Sequence, residues 1–259
     1  MIITTGNDPI PEIVQRAVSL AERTGCNYVP RDNLSLPKLV KRHGEEEVLV
    51  VLQEAVRLIR PGMPSMEFHP SMGYVRAKRI LKGETDPLLS AADMIPGDSV
   101  LDCTAGLGTD SLLFSVYGGE TSKVTALESS LPLYALLIEG MSQYTTGKER
   151  VNEAFRRIQV VNSDHLDYLR AQPDCSVDIV YFDPMFRVPL TDSASISPLR
   201  QYANGEALSP ESVAEAKRVA RKTVLLKEKA LSGEFDRLGF TELLRGSSKT
   251  SYGVIKIGN

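Results

Sequence analysis

The segment Val100-Leu-Asp-Cys-Thr-Ala-Gly-Leu-Gly-Thr-Asp110 constrains the fold more than any other stretch of the chain. Its apolar start reads as a buried strand running into a turn built on Gly106 and Gly108, with Asp102 at the strand's end. Glycine allows a tight turn and a close approach of backbone to a ligand. A second apolar run, Val177-Asp-Ile-Val-Tyr-Phe182, ends in Asp183-Pro-Met-Phe186. Both are strands that finish in loops bearing polar groups, the pattern of an open sheet with its site at the strand ends.

The residues around these two segments extend the pattern. Lys123–Glu128, 158–162 and 223–226 read as further strands. Helices are predicted over 132–141, near His165–Ala171, over 210–221 and over 232–238. Strands alternating with helices build a parallel sheet covered on both faces. Phe240–Leu244 and Tyr252–Ile257 follow with no helix between them, so they can pair antiparallel. Upstream, Gly73–Lys82 reads as a basic helix and Asp86–Met94 as a second one.

Residues 1–65 read as a separate small α/β extension. Ile2–Thr4, Cys26–Val29 and Glu47–Leu52 are strand candidates, and 11–23 and 36–43 carry helical spacing. Pro61-Gly-Met-Pro64 is a turn cluster and marks the expected boundary, which leaves 66–259 as the larger domain. The expected fold class is α/β: a doubly wound, mostly parallel sheet with this extension attached.

Composition narrows the function classes. The chain has 259 residues, three cysteines and three histidines, all scattered, so neither residue type offers a metal cluster. Sparse, unpaired cysteines and a start with no signal-peptide layout point to the cytoplasm. No apolar run approaches the roughly 20 residues that span a bilayer. A net charge of −3 gives no bulk attraction for nucleic acid. Basic residues nevertheless cluster at Arg76, Lys78, Arg79 and Lys82 and at Lys217, Arg218, Arg221 and Lys222. Each cluster is either a solvated helix face or a phosphate-contacting surface.

Acids stand at the ends of three consecutive strands: Asp102, Glu128 and Asp164. The turn at Gly106 and Gly108 lacks the third glycine of a dinucleotide fingerprint and has Thr109-Asp110-Ser111 there instead. Acid before and after the turn disfavours a pyrophosphate and favours a cation. S-adenosylmethionine (SAM) fits, with its sulfonium, its ammonium and a carboxylate that can use turn amides. Glu128 is placed to accept from both ribose hydroxyls. Asp164, with His165 beside it, either accepts from the adenine amino group or caps the helix that follows.

Asp183, Pro184 and Phe186 are the catalytic candidates. An exocyclic amine on a base is a poor nucleophile because its lone pair is delocalised into the ring. A carboxylate and a backbone carbonyl that accept its N–H groups can pull the nitrogen toward tetrahedral geometry. Proline fixes the local backbone and removes a competing donor. An aromatic ring can stack on the base.

The combination Thr104-Ala-Gly-Leu-Gly108 with Asp183-Pro-Met-Phe186 resembles the RsmJ family of small-subunit rRNA guanine-N2 methyltransferases. The likeness runs from about Gly73 to Lys227. It implies a seven-stranded sheet with an antiparallel last strand, SAM as cofactor and rRNA as partner. It also implies SAM contacts at Thr109 and Asp110, Glu128 and Ser129, Asp164 and His165, and Asp183. Ala105, Gly106 and Gly108 join Asp102 in the expected turn. Arg76, Lys78, Arg79 and Arg187 are the candidates for holding the RNA. The alternatives are a methyltransferase of a small molecule or protein, and a nicotinamide-dependent oxidoreductase.

Overall fold

The computed structural model describes residues 1–185, 199, 201–243 and 248–258. Seven strands form the main sheet: β6 (Val100–Asp102), β7 (Val124–Glu128), β8 (Gln159–Asn162), β9 (Val177–Phe182), β10 (Ala220–Lys229), β11 (Thr241–Leu243) and β12 (Thr250–Lys256). Their spatial order is β11-β12-β10-β9-β6-β7-β8. From β8 across to β10 every pairing is parallel. The last strand, β12, inserts between β10 and β11 and runs antiparallel to both. Strand order reverses at β6, where β7 departs to one side and β9 lies on the other.

The two-residue period of a strand sends alternate side chains to opposite faces, and both faces here are covered. Val100, Ala126, Ile179, Tyr181 and Leu225 join one apolar cluster, and Leu101, Leu127, Val180, Phe182 and Leu226 join another. The first face carries α3 (Ser71–Leu81), α4 (Pro87–Ala92), α5 (Thr109–Gly118), α6 (Leu131–Gln143) and α7 (Glu149–Arg157). The second carries α8 (His165–Arg170), α9 (Pro210–Val219) and α10 (Gly233–Leu238). Burial on both sides explains why these strands read as continuous apolar runs.

A second, five-stranded sheet has the order β2-β1-β3-β4-β5. Its strands are β1 (Ile2–Thr5), β2 (Asn27–Tyr28), β3 (Val48–Val51), β4 (Val56–Ile59) and β5 (Met66–Glu67). It extends past the turn at Pro61–Pro64, because β5 pairs with β4. Helix α1 (Pro11–Thr24) buries Ile13, Ala17, Leu20 and Ala21 and stops at Gly25 in the left-handed region; α2 (Leu36–Arg42) completes the unit.

The two sheets share one apolar cluster across α6. Arg16 of α1 donates to Glu139 of α6 at 2.6 Å, and Phe68 lies against Gly140 so closely that a Cβ there would overlap its ring. Sequence patterning did not predict β4, β5, α5 or α7. β4 and β5 are short, and α7 buries only Val151, Asn152, Ala154 and Phe155 in an otherwise charged segment.

Candidate active site

The carboxyl ends of β6, β7, β9 and β10 lie along one edge of the sheet. Folds of this kind hold a ligand there, in the crevice at the switch point. Acids and turn amides are hydrogen-bonded to one another at this edge. Gly106 and Gly108 both have positive φ, +55° and +69°. Gly108 is the N-cap of α5, and a Cβ there would overlap the end of Met141. Gly106 has open space where a side chain would be, with only Leu199 in ordinary contact at 3.8 Å. The turn therefore packs its second glycine inward and presents its first.

Asp102 is buried behind this turn. Its Oδ1 accepts from the Thr104 amide at 3.1 Å, and its Oδ2 accepts from the Ser111 hydroxyl at 2.5 Å. Burial pushes its carboxyl up to about 7, against the pull of these two donors. The expected ligand acid is thus the clasp that joins the start of the turn to the first turn of α5. Ala105 is buried, and its amide donates to the Leu127 carbonyl at 2.9 Å.

Glu128 ends β7 on the other side of the turn. Its Oε2 accepts from the Gly106 amide at 3.0 Å and its Oε1 from the Ser130 amide at 2.8 Å. Burial raises it to about 7 despite these donors. A carboxylate has about four lone-pair sites, so two remain for a ligand diol. Ser129 beside it is exposed. Asn162 fixes the loop by donating to the Glu128 carbonyl at 2.7 Å and the Ser129 carbonyl at 3.2 Å.

Asp164 caps α8, its Oδ1 accepting from the Leu166 amide at 2.8 Å. His165 faces α9, with Nε2 at 3.0 Å from Ser212 Oγ and its ring edge-on to Phe182. Burial lowers its pKa, which favours the neutral ring.

Asp183 sits across from the turn. Its amide donates to Thr104 Oγ1 at 2.5 Å, which joins the end of β9 to the start of the glycine turn. Its carboxylate, 28% exposed, accepts from Lys227 Nζ at 2.7 Å. The same ammonium donates to Asp110 at 2.9 Å. Asp110 also accepts from Tyr181 Oη at 2.7 Å and from Arg76 at 2.7 Å, and the two cations hold its carboxyl far below the usual range although it is buried. Pro184 and Met185 are half-buried. Phe186 and Arg187 lie outside the described residues.

Two expectations change here. Arg76 is not a free cation for RNA. It makes paired hydrogen bonds to Asp86, at 2.9 and 2.7 Å, besides the one to Asp110, because α3 packs against α5 with Gly73 touching Thr109. The Asp110 side chain is likewise spent on this internal network, which leaves only its backbone and that of Thr109 at the helix start for a ligand.

Lys78 and Arg79 stay on the surface of α3. Lys78 Nζ lies 4.7 Å from the centre of the Tyr74 ring, and Arg79 is paired with Glu84. Sequence reasoning missed Thr104, Ser111, Asn162 and Lys227. Only Lys227 carried a signal, as a charge closing the apolar run Val224-Leu-Leu226 at a strand end. Among the described residues no group of His, Cys, Asp or Glu could hold a metal ion, and no helix is long and apolar enough to cross a membrane.

Comparisons with known proteins agree with this geometry. The family profile described as "Putative SAM-dependent methyltransferase" matches residues 37–227. The Bacillus subtilis protein YpiP, described as uncharacterized, is 38% identical over 255 residues, which cover 98% of this chain and 99% of YpiP. The ribosomal RNA small subunit methyltransferase J of Thioalkalivibrio sulfidiphilus is 28% identical over 76% of this chain and 80% of its own length. Its counterpart from Hydrogenovibrio crunogenus is 31% identical over 56% of this chain and 53% of its own. A solved SAM-dependent methyltransferase from Neisseria gonorrhoeae superposes with a TM-score of 0.64 at 20% identity, covering 99% of this chain and 96% of that one, so it has the same fold. The chain belongs to this family of SAM-dependent methyltransferases and is related to the RsmJ enzymes.

Proposed function

We propose that this enzyme methylates the exocyclic amine of a base in structured RNA, with N2 of a guanine in small-subunit rRNA as the first candidate. The observation that carries the reading is Asp183-Pro184 at the end of β9, tied through Thr104 to the glycine turn. The Asp183 carboxylate is 28% exposed, which supports a contact with substrate there. The names of the J-type rRNA methyltransferase relatives support the choice of RNA.

The crevice fits SAM by its donor set. Gly106 leaves room for close approach, the amides at the start of α5 suit a carboxylate, and Glu128 keeps two acceptor sites for the ribose diol. Ser129 follows β7 and Asp164 follows β8, on the side to which the rest of the cofactor would extend. Bound SAM supplies a methyl group on a sulfonium sulfur, which keeps the C–S electron pair as the amine nitrogen bonds to the methyl carbon.

The chain's own residues do the rest. The Asp183 carboxylate accepts one N–H of the amine and turns the nitrogen lone pair toward the methyl. As the N–C bond forms, the nitrogen loses a proton, and Asp183 stands in place to take it. Most of the acceleration comes from holding the two reactants in line. A base within a helix must first be flipped out, at a cost of a few kcal/mol.

The test is methyl transfer from isotope-labelled SAM to small ribosomal subunits taken from cells lacking this gene. Asp183→Ala is expected to abolish incorporation while SAM affinity stays within severalfold. Incorporation into protein or small molecules, with none into RNA, would reject the reading.

A further inference from the structure

Five charged side chains form an unbroken alternating chain under the crevice: Asp86, Arg76, Asp110, Lys227 and Asp183. Its links are the paired Arg76–Asp86 contact, Arg76 to Asp110 at 2.7 Å, Lys227 to Asp110 at 2.9 Å and Lys227 to Asp183 at 2.7 Å. The first four members alternate in sign and are at least four-fifths enclosed. Asp183 is the terminal acid and the member most open to the crevice. Charges buried in such pairs seldom stabilise more than apolar residues of the same volume would.

We propose that Lys227 is a positioning residue for methyl transfer, holding the Asp183 carboxylate ionised and aimed at the substrate amine. The proposal rests on the reading that Asp183 accepts from that amine. Lys227 suits the role because two acids compete for one ammonium. Asp110, anchored by Arg76 and Tyr181, fixes where Nζ lies, and Nζ in turn fixes Asp183. A neutral Asp183 would present a hydroxyl to the amine from one oxygen and would lose its hold as an acceptor.

The groups that act on Asp183 come from every element around it. Lys227 and Glu228 lie on β10, Asp110 on α5, Asp102 on β6, Arg76 on α3 and Tyr181 on β9, while Tyr252 on β12 acts on Lys227. Burial pushes Asp183 up, Lys227 opposes it, and Asp110 pushes it up further. Removing Lys227 or Asp110 therefore has opposite consequences. Without the ammonium, the carboxyl is harder to ionise. Without Asp110, Asp183 loses a repelling neighbour and has the ammonium to itself.

The experiment is the pH profile of kcat on the same ribosomal subunits, for the wild type, Lys227→Met, Asp110→Asn and Asp183→Asn, with SAM affinity measured alongside. In Lys227→Met the acid limb should move up by about 1–3 pH units, with roughly a tenfold loss of kcat for each unit it passes the assay pH. SAM affinity should stay within about threefold. In Asp110→Asn the limb should move down. A merely structural role would lower the amount of folded enzyme in both variants and move neither limb. If Lys227→Met does not fold, Lys227→Gln, uncharged and of similar length, is read in its place with the same expected upward shift. Limbs that stay where the wild type has them overturn the proposal. Asp183→Asn separates the two readings: if it remains active, the role of Asp183 itself is wrong. If it is inactive while the other limbs are unmoved, only the role of Lys227 fails.

Discussion

The Gly106 amide donates to Glu128 Oε2 at 3.0 Å, so the acid expected to hold the ribose also holds the turn that faces the cofactor. Burial places the ionisation of Glu128 near pH 7. The ionised form is the better acceptor for a diol, and it predominates above that pH. SAM affinity should therefore rise from pH 6 to pH 8, and Glu128→Gln should flatten the rise. Glu128→Ala should weaken SAM about 10- to 100-fold, roughly 1.4–2.8 kcal/mol. Calorimetric titration across this range checks both. Stability linked to this group runs the other way. Its folded pKa lies above the unfolded value, so its contribution is full below about 4.5 and fades as pH rises through 7.

Arg76 makes an opposite prediction to that of a surface arginine. Arg76→Ala would leave Asp86 buried without its paired cation and Asp110 with Lys227 alone, a loss of about 3–5 kcal/mol. Denaturant unfolding should show this in full. The salt dependence of RNA binding, measured on the protein that remains folded, should not change.

How much of this was legible depended on whether a residue's role is local. The glycine turn, the strand-end acids and the Asp183-Pro184 corner were readable because each is a short pattern of residue types. The antiparallel last strand was also readable, since no helix separates 240–244 from 252–257. Its insertion between β10 and β11 was not, because neighbour order depends on contacts between remote segments. Arg76 was misread for the same reason. A cation four positions from Ile80 on a basic helix looks solvated until α5 places Asp110 in its path. Lys227 joins Asp110 across 117 positions and Asp183 across 44, and no pattern within a window of one element encodes such a contact.

Gly140 is a further case of remote packing. In a mid-helix position alanine ordinarily gains about 1 kcal/mol over glycine. Here a Cβ would overlap the Phe68 ring, which is held edge-on against Tyr144 and Phe155. Gly140→Ala should therefore destabilise, by about 1–3 kcal/mol, the usual cost of overpacking. Thermal unfolding measures it. A gain in stability would mean that the Phe68 side chain can move away and that the contact between the five-stranded sheet and α6 is loose.

The exposed side of α3 remains the best candidate for holding RNA once Arg76 is removed from it. Arg79 is 61% exposed, Lys82 is exposed at the helix end, and Lys78 is held over Tyr74. The helix also touches the glycine turn through Gly73 and Thr109, so a strand lying along it would lead to the crevice. Cations that neutralise phosphates release counterions, and each contact adds about 0.7–0.9 to the slope of log affinity against log salt. Replacing Lys78, Arg79 and Lys82 together by alanine should lower that slope by roughly 2–3 for rRNA fragments or subunits. The melting temperature should hardly change, because only surface pairs are lost. An unaltered slope would remove α3 from the substrate surface and turn the search to the cations of α9 and its neighbours, of which Lys217 is not bound into the Arg218 and Arg221 networks.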